Sequence, residues 1–317
     1  MPMRRWIAAL IALLLIAPAR AQPAEKPKPV PLAELRAKLG KPGDHYLRIA
    51  GGVEFRYRDE GKGPVLLLLH GSRSSLNSWD PVVARLVRHY RVVRFDQPPQ
   101  ALSGPVSKEA LAAVGSPEAM VRMFLDGLKI DKATVLGTSS GGTLAYYFAA
   151  TYPDRVDALI LSNTPSDAVS ELKPVLTPDM IAANARAKEN GLEDRPYWRT
   201  YFEWLWGDKA RITEHEVDSY YGMNLRGIDP NYTGLTALTS NKDVTMARLA
   251  GVKAPVLILW GMRDPVLPPY LGDKLYGYLA NAKARSFIAL HDVGHYPPVE
   301  VPDRYAELVL AWLKNAR

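Results

Sequence analysis

Three short segments of the sequence carry the residue types of a serine-based acyl-transfer site. The first, G-T-S-S-G-G at residues 137–142, fits the pattern G-x-S-x-G, in which a serine lies at a sharp turn between a strand and a helix. Such a turn strains the backbone of Ser139 and pushes its hydroxyl out above the sheet. The alternative is an ordinary glycine-rich turn, but a strand predicted at 133–136 and a helix predicted at 141–151 favour a nucleophile.

The other two segments supply a carboxylate and an imidazole. Asp264 follows a predicted strand at 255–260, and an acid at the carboxyl end of a parallel strand can orient a histidine. His295 lies in the loop D-V-G-H-Y-P-P at 292–298, and histidine is the usual general base near neutral pH. Taken alone, Asp264 is as readily explained as a helix-capping or surface residue, and His295 as a solvent-exposed loop residue. The order serine, acid, histidine makes the three segments more informative together than apart.

Alternating strands and helices would have to position these side chains. Apolar runs such as P-V-L-L-L-L at 64–69 are typical of strands buried on both faces of a sheet. The succession predicts an α/β protein with a mostly parallel, doubly wound sheet. It is interrupted between about residues 165 and 244, where the sequence predicts three helices and no convincing strand. Thr213 and Glu216 form a capping box at the start of the third helix.

These segments together resemble the α/β-hydrolase superfamily, and the likeness covers roughly residues 46–312. Its matching stretches include L-H-G-S at 69–72, W-G-M-R-D at 260–264 and G-H-Y-P-P-V-E-V-P at 294–302. The resemblance implies an α/β-hydrolase fold with an inserted all-helical cap and a catalytic triad of Ser139, Asp264 and His295. Loop 96–103 departs from the family pattern, because Pro98 and Pro99 stiffen a segment where relatives usually carry glycine.

The resemblance also implies an oxyanion hole formed by the backbone N–H groups of Ser72 and Ser140. Two such donors would face the oxygen that becomes negative when a serine attacks a carbonyl. Arg73, beside this segment, either pairs with a substrate carboxylate or is simply solvated. Trp198 and Trp204 belong to an aromatic run at 197–206 that either lines an apolar pocket or forms the insertion's own core. We favour the second interpretation of that run.

The superfamily leaves the substrate open. A serine nucleophile argues against haloalkane dehalogenases and epoxide hydrolases, which carry aspartate at that position. We expect an exported serine hydrolase that cleaves carboxylic esters or related acyl bonds of small apolar substrates through an acyl-enzyme. A carbon–carbon bond hydrolase, a lactonase or a perhydrolase with the same triad is the alternative. A non-catalytic binding protein is less favoured, because all three triad residues are present.

Composition excludes several other classes of protein. The 317 residues are 47% hydrophobic and 23% charged, which excludes a disordered, collagen-like or coiled-coil chain. The absence of cysteine excludes a disulfide framework and a catalytic thiol. The formal net charge of +7 is spread along the chain, so nucleic-acid binding has little support. No histidine spacing indicates a metal site, and we expect neither a metal nor another cofactor.

The first residues have the features of an export signal. Two arginines precede the apolar run W-I-A-A-L-I-A-L-L-L-I-A at 6–17, and A-R-A at 19–21 offers a cleavage site. We therefore predict a signal peptide at 1–21 and an extended tether at 22–45. The hydrolase core is predicted at 46–164 and 245–317, with the helical cap at 165–244. The product would be periplasmic or secreted, with no membrane span after cleavage.

Overall fold

The computed structural model describes residues 28–167, 174–227, 229, 238–239 and 241–315. Eight strands in this part of the chain form one sheet in the order β1-β2-β4-β3-β5-β6-β7-β8. The strands are β1 (His45–Arg48), β2 (Glu54–Glu60), β3 (Val65–Leu69), β4 (Arg91–Phe95), β5 (Ala133–Thr138), β6 (Val156–Ser162), β7 (Val256–Gly261) and β8 (Arg285–Leu290). β2 runs antiparallel to both of its neighbours, and the other neighbouring pairs are parallel. This topology confirms the predicted mostly parallel sheet.

Both faces of the sheet are buried, as the apolar run in β3 predicts. Leu67 and Leu69 belong to one apolar cluster, and Leu66 and Leu68 belong to a second one. Successive side chains of a strand point to opposite faces, so these two clusters lie on the two sides of the sheet. Burial on both sides explains why the strand is continuously apolar rather than alternating.

Helices cover both clusters. The described α-helices are α1 (Leu32–Leu39), α2 (Asp80–Leu86), α3 (Lys108–Val114), α4 (Pro117–Gly127), α5 (Ser140–Thr151), α6 (Pro178–Asn190), α7 (Arg195–Leu205), α8 (Glu214–Asn224), α9 (Lys242–Gly251), α10 (Tyr270–Tyr278), α11 (Pro297–Glu300) and α12 (Pro302–Asn315). α4 and α5 contribute Phe124 and Phe148 to the first cluster. α2 and α12 contribute Leu86 and Val309 to the second.

The prediction of an extended tether at 22–45 is wrong for residues 32–39, which form helix α1. Leu35 is fully buried, and Arg36 donates hydrogen bonds to the carbonyls of Leu102 and Gly104 at 2.9 and 2.8 Å. Arg36 also pairs with Glu54 at 2.7 Å. These contacts tie the segment to the core, because partners distant in sequence stabilise a helix too short to persist alone.

In the described part of the chain, four α-helices, α6 to α9, lie between β6 and β7. The first three of them span residues 178–224, which we call the helical insertion. The predicted capping box of Thr213 and Glu216 is confirmed at the start of α8. Thr177 and Asp194 cap α6 and α7. The exact borders of the predicted cap, and its role in covering a site, stay predictions.

The predicted signal peptide at 1–21 and the rest of the tether up to residue 27 lie outside the described residues. So do residues 168–173, 228, 230–237 and 240 of the predicted cap. Among the residues that are described, no helix is both long and apolar enough to cross a membrane.

Candidate active site

Ser139 lies between β5 and α5 with a backbone conformation rare for a residue with a side chain. Its φ is 52° and its ψ is −128°. The N–H of Ser139 donates to the carbonyl of Ser162 in the neighbouring strand at 2.9 Å, which helps to hold this geometry. Strained conformations of this kind persist only where the surroundings impose them, and they are common at catalytic residues.

The two glycines of the G-x-S-x-G pattern are required by close packing of the backbone. A Cβ placed on Gly137 would lie 2.6 Å from the backbone nitrogen of Gly142. A Cβ placed on Gly141 would lie 2.7 Å from the carbonyl carbon of Leu69 in β3. Both distances are impossible for real atoms, so the turn can form only with glycine at these two positions.

Ser139, His295 and Asp264 are brought together, although 156 residues separate the serine from the histidine. Nε2 of His295 lies 3.1 Å from the Ser139 hydroxyl oxygen, and Nδ1 lies 2.7 Å from Oδ2 of Asp264. A carboxylate only accepts hydrogen bonds, so Nδ1 carries the proton and the Nε2 lone pair faces the serine. This is the tautomer that a general base requires.

The carboxylate of Asp264 is held by four donors. Its Oδ1 accepts hydrogen bonds from the backbone N–H groups of Val266 and Leu267 at 2.7 and 2.9 Å. Its Oδ2 accepts from the histidine and also from Nδ2 of Asn163 at 2.7 Å. The side chain is fully buried, so these bonds replace the water that would otherwise solvate the charge.

Sequence reasoning missed Asn163. It directly follows β6, and its φ of 39° is in the left-handed region, which asparagine tolerates better than most residues. Its amide also donates to the carbonyl of Gly261 at 3.2 Å and accepts from the N–H of Gly261 at 2.9 Å. A polar residue at the carboxyl end of a strand between those bearing Ser139 and Asp264 is the signal that could have found it.

Ser72 and Ser140 lie beside each other, as the proposed oxyanion hole requires. Their hydroxyl oxygens are 2.8 Å apart. A Cβ on Gly71 would be 3.2 Å from the Cβ of Ser139, so this segment passes directly against the serine. Ser140 is the first residue of α5, where N–H groups have no acceptor within the helix and the helix dipole favours negative charge.

His70 fixes the position of the segment that carries Ser72. The N–H of Gln97 donates to Nε2 of His70 at 2.9 Å, so Nδ1 carries the proton and donates to the carbonyl of Gly71 at 2.7 Å. Complete burial lowers the pKa of His70, while the nearby charge of Asp96 partly opposes this shift. The ring therefore acts as a neutral bridge between β3 and loop 96–103.

Arg73 makes its strongest contacts with the helical insertion. Its guanidinium forms an ion pair with Glu193 and donates to the Tyr197 hydroxyl at 2.8 Å. It also lies 5.4 Å from the ring centres of Tyr197 and Trp198. Arg73 is thus already paired, which neither of the sequence-based interpretations anticipates.

Two cavities adjoin the Arg73–Glu193 pair. The cavity of about 350 Å³ includes Ser72 in its wall, together with Arg73, Pro99, Gln100, Ala101, Glu193, Met223, Asn224, Gly227 and Asp229. A cavity of about 600 Å³ shares Arg73 and Glu193 and adds Lys188 and Arg226. The stiff loop with Pro99 therefore lies beside the site, as its sequence indicates.

The aromatic run of the helical insertion packs mainly on itself. Trp198 is fully buried in a cluster with Tyr197, Phe202 and Tyr220. Trp204 is partly buried, and its Nε1 donates to the carbonyl of Val175 at 3.0 Å. In the described part of the chain, neither tryptophan lines the two cavities beside Arg73. This packing fits the interpretation of the run as the insertion's own core.

The chain belongs to the alpha/beta hydrolase fold family, whose model matches residues 64–300. A curated relative is the 2-hydroxy-6-oxononadienedioate/2-hydroxy-6-oxononatrienedioate hydrolase of Paraburkholderia phymatum. It is 28% identical over 279 residues, covering 84% of this chain and 93% of the relative. The hydrolase of the same name from Burkholderia vietnamiensis is 28% identical over 281 residues, covering 84% of this chain and 94% of the relative.

Solved structures show the same fold. The enol-lactonase of Burkholderia xenovorans LB400 has a TM-score of 0.64 at 22% identity, covering 85% of this chain and all of that chain. A hydrolase from Pseudomonas aeruginosa has a TM-score of 0.65 at 25% identity, covering 86% of this chain and 99% of its own.

Proposed function

We propose that this hydrolase uses Ser139 as a nucleophile toward small carbonyl substrates, with His295 as general base and Asp264 as its orienting acid. The observation that carries the proposal is the pair of distances at His295, 3.1 Å to the serine hydroxyl and 2.7 Å to the carboxylate. The positive φ of Ser139 supports it, because an unused serine has no reason to occupy a strained turn.

The geometry supports the following sequence of steps. The Ser139 hydroxyl gives its proton to Nε2 of His295 while its oxygen bonds to the substrate carbonyl carbon. The oxygen that becomes negative accepts hydrogen bonds from the N–H groups of Ser72 and Ser140. The imidazolium then gives its proton to the leaving group, which departs and leaves an acyl-enzyme. In the second half of the reaction, water gives a proton to Nε2 of His295 and attacks the acyl carbon. The imidazolium then returns the proton to the Ser139 oxygen, and the acid is released.

We propose a carbon–carbon bond beside a ketone as the bond that is cleaved. The relatives at 28% identity are hydrolases named for a 2-hydroxy-6-oxo dienedioate, and they match nearly their whole length. Breaking such a bond leaves an electron pair on carbon. That pair can be delocalised once the 2-hydroxy dienoate has moved its hydroxyl proton to the carbon beside the ketone, because the pair is then conjugated to the new 2-oxo group. The imidazolium of His295 then protonates the leaving group, which departs. These relatives favour this alternative over the carboxylic ester that the sequence led us to expect.

Ester or lactone hydrolysis is the second candidate. Ser139 and His295 are within hydrogen-bonding distance. To react with them, a substrate needs a carbonyl and a leaving group that can take a proton from Nε2. An alkoxide leaving group meets that requirement without any conjugation. The two candidates therefore share one site and differ only in the group that departs.

A substrate panel tests the proposal and separates the two candidates. Purified protein would be assayed with a 2-hydroxy-6-oxo dienoate, an enol-lactone and p-nitrophenyl acetate and butyrate, with Ser139→Ala as the control. We expect the highest kcat/KM for the dienoate and no turnover by the variant. A fluorophosphonate probe should label the wild-type protein at Ser139. Folded wild-type protein that resists labelling would reject serine catalysis altogether.

We also propose that the protein is exported, as the sequence of residues 1–21 predicts. Expression in a Gram-negative host followed by N-terminal sequencing tests this proposal. The mature chain should begin at Gln22 and appear in the periplasm. A chain that keeps Met1 and stays in the cytoplasm would contradict it.

A further inference from the structure

Glu300 is a fully buried carboxylate that no step of the proposed reaction uses. Its side chain has no solvent exposure. Oε2 accepts hydrogen bonds from the N–H groups of Gly294 and Gly207 at 2.7 and 3.1 Å. Oε1 accepts from the N–H of Asp208 at 3.0 Å and from Nη1 of Arg211 at 3.1 Å. Burying a charge is costly, so four donors converging on it indicate a geometry that the fold maintains.

These donors belong to two parts of the chain that are distant in sequence. Gly294 directly precedes His295, whereas Gly207, Asp208 and Arg211 follow helix α7 of the insertion. Glu300 therefore joins the loop that carries the histidine to the end of that helix. Hydrogen bonds to an ionised acceptor are about twice as strong as neutral ones, so the junction is firm.

The same two segments touch each other directly. The N–H of His295 donates to the carbonyl of Leu205, the last residue of α7, at 2.9 Å. A Cβ on Gly207 would lie 2.6 Å from the carbonyl oxygen of Asp292, so the backbones are in contact. Arg211 adds a bond from Nη1 to that carbonyl oxygen at 3.0 Å. The backbone of His295 is thus fixed by the insertion and not by the sheet alone.

We infer that Glu300 is a positioning residue for His295, acting through the N–H of Gly294 and the end of helix α7. The inference rests on the proposed function only in naming His295 as the general base. Without the Glu300 carboxylate, Gly294 and Gly207 lose their shared acceptor and the histidine loop can shift. A displacement of about 1 Å at a reacting group can reduce the rate on the order of a hundredfold.

The test compares Glu300→Gln with Glu307→Gln, which changes an exposed glutamate on α12. An amide cannot accept from donors on both of its sides, so Glu300→Gln should lose one pair of bonds. We expect kcat to fall about tenfold to a hundredfold with KM changed much less. The downfield proton NMR signal of the His295 Nδ1–H should move or broaden. Glu307→Gln should match the wild type in both measurements.

A second pair of variants decides the matter if Glu300→Gln does not fold. Arg211→Gln removes the cation that contacts Glu300, whereas Arg304→Gln removes one whose ion pair within the described residues is with Asp292, at 2.7 Å. We expect Arg211→Gln to lower kcat, by less than Glu300→Gln does, and to alter the NMR signal of His295. Arg304→Gln should change neither. Equal behaviour of these two variants would overturn the inference, and so would a folded Glu300→Gln with wild-type kcat and an unchanged signal. Failure of the wild type to react with the fluorophosphonate would instead reject the proposed function. The inference about Glu300 could still be tested in that case, because the NMR signal of His295 does not depend on turnover.

Discussion

Asn163 and His295 donate to the same oxygen of Asp264, each at 2.7 Å. The two backbone donors on the other oxygen leave this buried carboxylate fully bonded and in one orientation. The described hydrogen bonds of the Asn163 side chain go to Asp264 and Gly261, so we expect it to act on the proposed reaction through the acid. It helps to fix the position of the carboxylate oxygen to which the histidine donates.

Removing the Asn163 amide should therefore reduce both activity and stability. We expect Asn163→Ala to lower kcat about tenfold and the free energy of unfolding by about 1–3 kcal/mol, because a buried acceptor loses a donor. Enzyme assays and urea denaturation measure the two effects. Asn163→Gly also lacks the amide but tolerates the φ of 39°, so it separates the lost bond from backbone strain. Wild-type activity in Asn163→Gly would show that the amide is dispensable.

The three residues of the proposed triad should behave as one unit. Ser139→Ala and His295→Ala should each reduce kcat on the order of 10⁴-fold or more, and the double variant should be little worse than either. Asp264→Asn should also be severe, because it disturbs the tautomer of His295 and leaves the imidazolium unsupported. Steady-state kinetics of the four variants checks this expectation. Near-full activity in Asp264→Asn would assign the orienting role to another residue.

Stability should fall in acid partly because of His70. Burial lowers the pKa of His70 in the folded protein. Just below the ordinary histidine pKa, the unfolded chain is therefore protonated at this residue while the folded protein is not. This contribution to stability is complete above the ordinary histidine pKa of about 6.5 and is lost progressively as the pH drops below it. Urea midpoints between pH 8 and pH 5 measure the slope. His70→Gln should show a shallower slope, and an identical slope would mean that other groups cause the loss.

The pairing of Arg73 with Glu193 should limit the binding of anionic substrates. Glu193→Gln would release the guanidinium, so KM for a carboxylate-bearing dienoate should fall several-fold while KM for p-nitrophenyl acetate stays the same. The pair is partly exposed, with side-chain exposures of 30% and 17%, so the stability change should stay below about 1 kcal/mol. A parallel change in both KM values would show that Arg73 does not interact with the carboxylate of the substrate.

Trp198 should matter for stability and not for the choice of substrate. Truncation of this buried ring in Trp198→Ala should lower the free energy of unfolding by about 3–5 kcal/mol. The chain-length optimum of a p-nitrophenyl ester series should remain where it is in the wild type. Trp198→Phe serves as the milder variant. An optimum that moves to longer esters would place the ring in the substrate pocket.

Local patterns allowed much of the fold and the proposed triad to be predicted from the sequence. The G-x-S-x-G turn and the capping box of Thr213 and Glu216 are encoded within a few residues, and the structure contains both. Contacts between distant residues that belong to no recognised motif could not be predicted in this way. Glu193 lies 120 residues beyond Arg73, and Asn163 lies 101 residues before Asp264. Helix α1 was missed for the same reason, since its stability comes from a core that its own sequence does not reveal.

The hydrogen bond from His295 to the carbonyl of Leu205 makes the helical insertion a poor unit for exchange between relatives. A chimera that grafts a foreign insertion between β6 and β7 would replace the chain segment that supports its own histidine. Such a graft could bind the intended substrate and still turn it over slowly. Engineers of new specificity in this scaffold would do better to keep residues 205–211 and Glu300 together and to vary α6, which lines the larger cavity beside Arg73.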